Sequence, residues 1–278
     1  MPIRSEAWPP GTPCWVDCQV DDPVKAGEFY AQLFGWDVQG GDGESGGYLM
    51  ALRDGHAIAG IGPKPAVADL PSLPAELGVP SAWTTYFAVL SADATAEQVR
   101  AAGGTLLVPP FDVMEFGRMF VAADTTGAPF AVWEARVHNG AAVHNEHGAY
   151  LWNDLHTGDY EAAKRFYADV FGFDYTEYDN EAMRYAAFTP PGARHNAGGI
   201  NDDGRNGSPP ARPYWLTWFQ YDGIDDGVRR AEELGATVLL APQDGPFGRM
   251  AILAAPQGEL FALLDPSEVV GDMPEPTQ

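Results

Sequence analysis

Along residues 13–20 (PCWVDCQV) bulky and polar side chains take turns, and that period of two predicts a strand. The spacing then changes. After Asp22-Pro23, a capping residue followed by proline, the apolar positions Ala26, Phe29, Tyr30 and Leu33 fall three or four apart, which predicts a helix closed by Gly35. Short strand-like runs follow at about 46–52 and 56–61, and a proline-rich loop extends from Pro63 to Pro80. The order is then restated: a strand at 83–90, a helix near 94–102, the stop Gly103-Gly104, and strands near 105–108, 118–123 and 129–135.

This whole pattern occurs twice. Cys14-Trp15-Val16-Asp17 through Phe29-Tyr30 to Phe34-Gly35-Trp36-Asp37 reappears without a gap as Leu151-Trp152-Asn153-Asp154 through Phe166-Tyr167 to Phe171-Gly172-Phe173-Asp174. Trp83-Thr84-Thr85-Tyr86-Phe87 reappears as Trp215-Leu216-Thr217-Trp218-Phe219, and Phe116-Gly117-Arg118-Met119 as Phe247-Gly248-Arg249-Met250. Three ordered matches at a nearly constant offset mark a duplication. The predicted fold class is α+β, with two tandem domains at 11–137 and 149–266, each built of two β-α-β-β-β modules and each with its own core. The polar, small-residue stretch His138–Gly148 reads as a solvated linker and 267–278 as a tail.

Charge narrows the partners. Lys and Arg number 16 against 39 Asp and Glu, and a formal charge of −23 repels phosphate backbones and anionic lipid. Nucleic acid and membrane are therefore not expected as partners, the apolar runs are strand-sized, and the opening Met1–Glu6 lacks a signal-like stretch, so the expected location is cytoplasmic. Cys14 and Cys18, four residues apart on one strand, lie about 13 Å apart when extended. That is too far to bridge, and they read as small buried thiols.

A strand ending in Asp, a helix carrying Phe-Tyr and then Leu-Phe-Gly-Trp, together with the closing turns Ala123–Gly127 and Ala255–Gly258, resemble the vicinal-oxygen-chelate superfamily of glyoxalases, bleomycin-resistance proteins and extradiol dioxygenases. The likeness runs from about Gly11 to Asp265. The wording Cys-Trp-Val-Asp and Phe-Gly-Arg-Met is similar to tandem actinobacterial members found with aromatic polyketide (anthracycline-type) pathways. The resemblance implies that in each domain the strands curl into a cupped mixed sheet with helices outside and a ligand cavity inside. It also implies metal-ligand positions, and here they fall on Trp15 and Trp152, on Thr84 and Leu216, and on Ala131 and Ala262. Indole, methyl and isobutyl groups cannot hold a divalent ion, so no metal or other cofactor is expected. His56 and His195, at matching positions, could serve as ligands only with partners the sequence does not supply, and they read as turn or strand-edge residues. His144 and His147 flank Glu146 in the linker and read as solvated.

If Trp15 faces the cup, strand alternation turns Asp17 and Gln19 the same way, and Trp152, Asp154 and His156 likewise in the second copy. Trp83 with Thr85 and Trp215 with Thr217 are expected to add aromatic and polar wall, although a one-residue slip would exchange their faces. Arg118 and Arg249 either contact an anionic group of the ligand or lock a strand turn. The tryptophans either stack on a ligand or plug the space of a lost metal; Phe29-Tyr30 and Phe166-Tyr167 read as core. Three functions compete. One is a metal-free binding protein for a hydrophobic aromatic molecule, polyketide- or antibiotic-like, in an accessory or resistance role. The second is a metal-independent isomerase, cyclase or hydroxylase-like enzyme with Asp154 and His156 as acid and base. The third is a metal-dependent dioxygenase or glyoxalase. The domains are expected to pair within one chain or across a homodimer.

Overall fold

The computed structural model describes residues 3–41, 43, 45–66, 79–180, 183–207, 212–272 and 274–277. Each copy is two modules. In the first, β1 (Pro13–Val20), α1 (Pro23–Phe34), β2 (Asp37–Gly40), β3 (Leu49–Arg53) and β4 (His56–Pro63) are followed by β5 (Ala82–Ala88), α2 (Ala92–Ala101), β6 (Thr105–Val113), β7 (Gly117–Ala123) and β8 (Pro129–Ala135). In the second, β9 (Tyr150–Thr157), α3 (Tyr160–Phe171), β10 (Asp174–Asp179), β11 (Arg184–Thr189), β12 (Gly198–Asp202) and the one-turn α4 (Asp203–Asn206) lead to a closing module. That module holds β13 (Tyr214–Gln220), α5 (Ile224–Glu233), β14 (Thr237–Gln243), β15 (Arg249–Ala254) and β16 (Leu260–Asp265). The strands form two eight-stranded mixed sheets of identical order, β2-β3-β4-β1-β5-β8-β7-β6 and β10-β11-β12-β9-β13-β16-β15-β14.

Local chemistry explains the punctuation. The Asp22 side chain accepts the Lys25 amide at 3.2 Å with Pro23 at the first helical position, and Gly35 ends α1 at φ 73° with its amide on the Ala31 carbonyl. Asp159 and Gly172 repeat both devices around α3. Strand β2 was not predicted: Asp-Val-Gln-Gly is a polar edge strand without alternation. β6 runs past its predicted end because its register shifts between Val108 and Phe111, accommodating Pro109-Pro110 on the edge of the sheet. Much of the predicted proline-rich loop, residues 67–78, lies outside the described residues.

The cores depart from the expectation of one per domain. One cluster joins α1 and β1–β5 to Phe219, Ile224, Val228 and Phe261 of the second copy. The other joins α3, Phe188 and Trp215 to Phe87, Val99, Phe120 and Phe130 of the first. Ring contacts cross the boundary in both, Phe34–Phe219 at 5.1 Å and Phe87–Phe171 at 4.9 Å. The sheets are thus back to back, helix faces inward and cup faces outward, with the domains paired within the chain.

Two buried tyrosines lock this arrangement. The Trp83 indole donates to the Tyr30 hydroxyl at 2.9 Å, and that hydroxyl donates to Glu259 Oε1 in the closing turn of the other copy at 3.2 Å. Reciprocally, the Trp215 indole donates to the Tyr167 hydroxyl at 3.0 Å, and this hydroxyl lies beside Asp124 in the first copy's closing turn. The two carboxylates come from opposite ends of equivalent turns, whose backbones pair alike: Asp124 N to Ala128 O, and Ala255 N to Glu259 O. Burial pushes both carboxyl groups above the usual range. Tyr30→Phe leaves the Trp83 indole and Glu259 without their shared partner and should cost about 1–3 kcal/mol in urea unfolding. The same substitution in a Glu259→Leu background should cost less, because the two residues share one bond.

Candidate functional site

Strand register assigns the faces. On β1, Trp15, Asp17 and Gln19 face the cup; opposite them on β5 stand Tyr86, Thr84 and Ala82, and Tyr86 in turn pairs with Ala131 on β8. In the second copy Trp152 pairs with Trp218, Asp154 with Leu216, and His156 with Tyr214. Trp83, Thr85, Trp215 and Thr217 therefore point the other way, contrary to expectation. Their indoles bond the helix tyrosines, and both threonine hydroxyls donate to Asn153 Oδ1, at 2.9 and 3.2 Å, on the seam between the sheets. Arg118 and Arg249 are also remote from the cups. Arg118 forks onto Asp93 and reaches Asp112, and Arg249 forks onto Asp225 and reaches Asp244, each tying the penultimate strand of its module to a helix start.

What the cup faces hold is a repeated cluster of indole, phenol and carboxyl. The Trp15 indole donates to the Tyr48 hydroxyl at 3.2 Å, and the Tyr86 hydroxyl donates to Asp17 Oδ2 at 2.7 Å. In the second copy the Trp152 indole reaches both Asp154 Oδ1 and the Tyr185 hydroxyl, and Tyr185 donates to the same carboxyl oxygen at 2.6 Å. Tyr48 and Tyr185 were not singled out in the sequence. They lie flat over glycines, and a Cβ added at Gly60 or Gly199 would come within 1.7 Å of the tyrosine oxygen. A tyrosine at the same place in both repeats, ahead of a strand with paired glycines, was the available signal. Burial raises the Asp17 pKa to about 7, against the pull of the Tyr86, Tyr48 and Thr84 hydroxyls. Asp154 is likewise raised by burial, opposed by Tyr185, His156 and the indoles of Trp152 and Trp218.

The copies diverge around this shared cluster. In the first, the His138 ring stands edge-on to Trp15 at 4.6 Å, its backbone oxygen takes the Trp133 indole at 2.8 Å, and burial lowers its pKa to about 4. The segment 138–148 is a wedge between the splayed starts of β1 and β4, with Ala141 N on Cys14 O and Ala142 N on Ala57 O, and not the solvated tether expected. Trp15 and Tyr86 are buried beneath it. In the second copy the equivalent stretch leaves the sheet: Val270 N bonds Gly245 O near β15, and Thr277 N bonds Glu177 O on the opposite edge strand β10. Trp152, His156, Tyr214 and Trp218 are consequently half-buried. His156 Nδ1 lies 3.1 and 3.0 Å from the two Asp203 oxygens, and its ring stacks on Tyr214 at 5.0 Å and 9°.

The donor set does not fit a metal ion. The positions that the family resemblance implies for it carry Trp15, Thr84 and Ala131 in one cup and Trp152, Leu216 and Ala262 in the other. Among the described residues no three His, Cys, Asp or Glu side chains converge. His195 is exposed in the turn before β12. His56 borders a recess of about 200 Å³ with Arg53, Asp54 and His144, outside both cups. Cys14 and Cys18 are buried and unbridged, as expected. No described helix is long and apolar enough to cross a membrane.

Two back-to-back cupped sheets, each of paired β-α-β-β-β modules with the cup face outward, define a tandem vicinal-oxygen-chelate protein. The chain belongs to the Glyoxalase/Bleomycin resistance protein/Dioxygenase superfamily, whose family model matches residues 14–132 and 148–269. It is 36% identical to the CFP32 protein of Mycobacterium tuberculosis (strain CDC 1551 / Oshkosh) over 96% of this chain and 99% of that one. It is 35% identical to the anthracycline biosynthesis protein DauV of Streptomyces sp. (strain C5) over 92% of this chain and 94% of that one. The Mn(II)-bound glyoxalase from Novosphingobium aromaticivorans superposes with a TM-score of 0.63 at 18% identity, covering 96% of this chain and 86% of that one, and so shares the fold.

The buried carboxyl sets a pH signature. Between about pH 4 and pH 7 folded Asp17 keeps a proton that the unfolded chain releases, so stability falls as pH rises through that window and levels off above it, with a slope of up to about 1.4 kcal/mol per pH unit from this group. Asp154 adds in the same direction. Denaturation midpoints measured from pH 4 to 8 should flatten in Asp17→Asn and flatten further in Asp17→Asn/Asp154→Asn. An unchanged slope in both variants would contradict the assignment.

Proposed function

We propose that this protein binds a planar, partly polar aromatic small molecule without a metal, in an accessory role in antibiotic biosynthesis, and that the second cup is its binding face. The observation that carries this reading is the half-buried wall of Trp152, Trp218 and Tyr214 around the Asp154 carboxyl. Half-buried indoles beside a fixed carboxyl suit a flat ring that stacks on one side and is oriented by a few polar atoms. The same face in the first copy is covered by His138. DauV, and DnrV of Streptomyces peucetius at 34% identity, are both anthracycline biosynthesis proteins, which supports a polycyclic polyketide as the ligand class.

A second reading, an acid–base enzyme acting on a similar molecule, is favoured by one observation. His156 is oriented by Asp203 and stands two residues from Asp154 on one strand face, where a general base could reach a bound ring. Asp154→Asn separates the two, because it should abolish turnover of an enzyme while leaving stacking on the tryptophans largely intact.

Titration with anthraquinone-type polycycles should quench tryptophan emission. Trp152→Ala should weaken binding about tenfold, the worth of one aromatic stacking contact. Trp15→Ala, beneath the His138 cover, should leave affinity within about twofold. Binding that survives Trp152→Ala and is lost in Trp15→Ala would place the site in the wrong copy.

A further inference from the structure

The two cups share Trp, Tyr and Asp, yet three neighbouring positions differ together. His156 on β9 pairs with Asn201 on β12 and with Tyr214 on β13, and Asp203 follows β12 at the start of α4. The register of the first copy puts Gln19, Lys64 and Ala82 in those places, and Lys64 turns away to Asp21 at 2.8 Å. Three positions, on β9, at the start of α4 and on β13, thus build one arrangement in the second cup alone.

That arrangement has a definite chemistry. An ionised carboxylate only accepts hydrogen bonds, so Asp203 fixes the proton of the imidazole on Nδ1, and in the neutral ring Nε2 becomes an acceptor. Tyr214, stacked on the ring, and Asp203 at its edge hold it in one orientation. Nε2 is buried and makes no hydrogen bond within the protein. An unpaired buried polar atom costs about 1–3 kcal/mol, and an acceptor held in one orientation calls for a donor to complete it.

We propose that His156 Nε2 accepts a hydrogen bond from a phenolic hydroxyl on a fused aromatic ring system, so that the ligand class is a hydroxylated polycyclic aromatic. Tyr214 and Trp218 are four residues apart on β13, about 13 Å along the strand, a reach that suits fused rings and not a single phenol. A neutral hydroxyl also suits a chain whose net charge of −23 opposes an anion. Asp203 is then a positioning residue: it touches His156 and sets its tautomer.

This inference rests on the proposed function, and one experiment separates the two. Binding of 1,4-dihydroxyanthraquinone, 1,4-dimethoxyanthraquinone and anthraquinone to the full chain is measured by tryptophan quenching and calorimetry. The wild type should prefer the dihydroxy compound over its dimethyl ether about tenfold, and His156→Gln and Asp203→Asn should each reduce that preference to under about threefold while keeping affinity for the ether. Nitrogen-15 NMR should show the Nδ1–H tautomer at His156 in the free wild type and its loss in Asp203→Asn, a readout independent of any ligand. Equal binding of the dihydroxy and dimethoxy compounds, or an unchanged preference in both variants, overturns the hydroxyl subsite and leaves the binding function standing. No binding of any of the three overturns both.

Discussion

The tyrosine hydroxyls of α1 and α3 are the points on which this molecule turns. Each is buried, each takes an indole N–H from its own domain, and each meets a carboxyl group from the closing turn of the other domain. A sheet flanked by helices on one side has one apolar face to cover. Here each domain covers the other's, so neither core is complete alone. The consequence for function is geometric. With both helix faces committed to each other, the outward faces of β1 and β9 are the sheet faces left uncovered by helices, and a side chain reaches them by strand alternation.

A glycine, a tyrosine and a carboxyl reorganise that face. Where a metal chelate would need ligands on three adjacent strands, the chain places bulky or inert side chains, and the space between is taken by Tyr48 over Gly60 and Tyr185 over Gly199. Each phenol joins the aromatic and carboxyl groups of its cup, Trp15 and Asp17 in one and Trp152 and Asp154 in the other. The carboxyl is the energetically expensive member, since burial pushes it toward the protonated form while neighbouring hydroxyls and indoles oppose the shift. Both copies keep this costly group at the same place, where an apolar side chain of similar volume would avoid the desolvation cost.

The duplication and the phase of β1 and β9 were legible in the sequence, because their alternation couples a polar series, Asp17 and Gln19 or Asp154 and His156, to one face. The phase of β5 and β13 was not. Both faces of those strands carry large aromatic residues, Trp83 and Phe87 on one and Tyr86 on the other, with Trp215 and Trp218 repeating the ambiguity, so a one-residue slip changes nothing in the pattern. The arginines of Phe-Gly-Arg-Met repeat for a structural reason, each forked onto a helix-start aspartate 25 or 24 residues upstream. Asp203 was beyond reach for a different reason: its partner His156 lies 47 residues away, and only the parallel pairing of β9 with β12 brings them together.

Duplicated domains often diverge by losing one site, and here the divergence has a physical mechanism on each side. After β8 the chain must return to start β9, and in doing so it lays His138 against Trp15 and wedges its following residues beside β1. The covalent link that makes the tandem also closes the first cup. After β16 the chain runs on to the free edge of β10, leaving Trp152 and Trp218 partly exposed. The linker thus covers one cup and not the other, and the histidine, aspartate and tyrosine that the first copy lacks all lie in the copy left open.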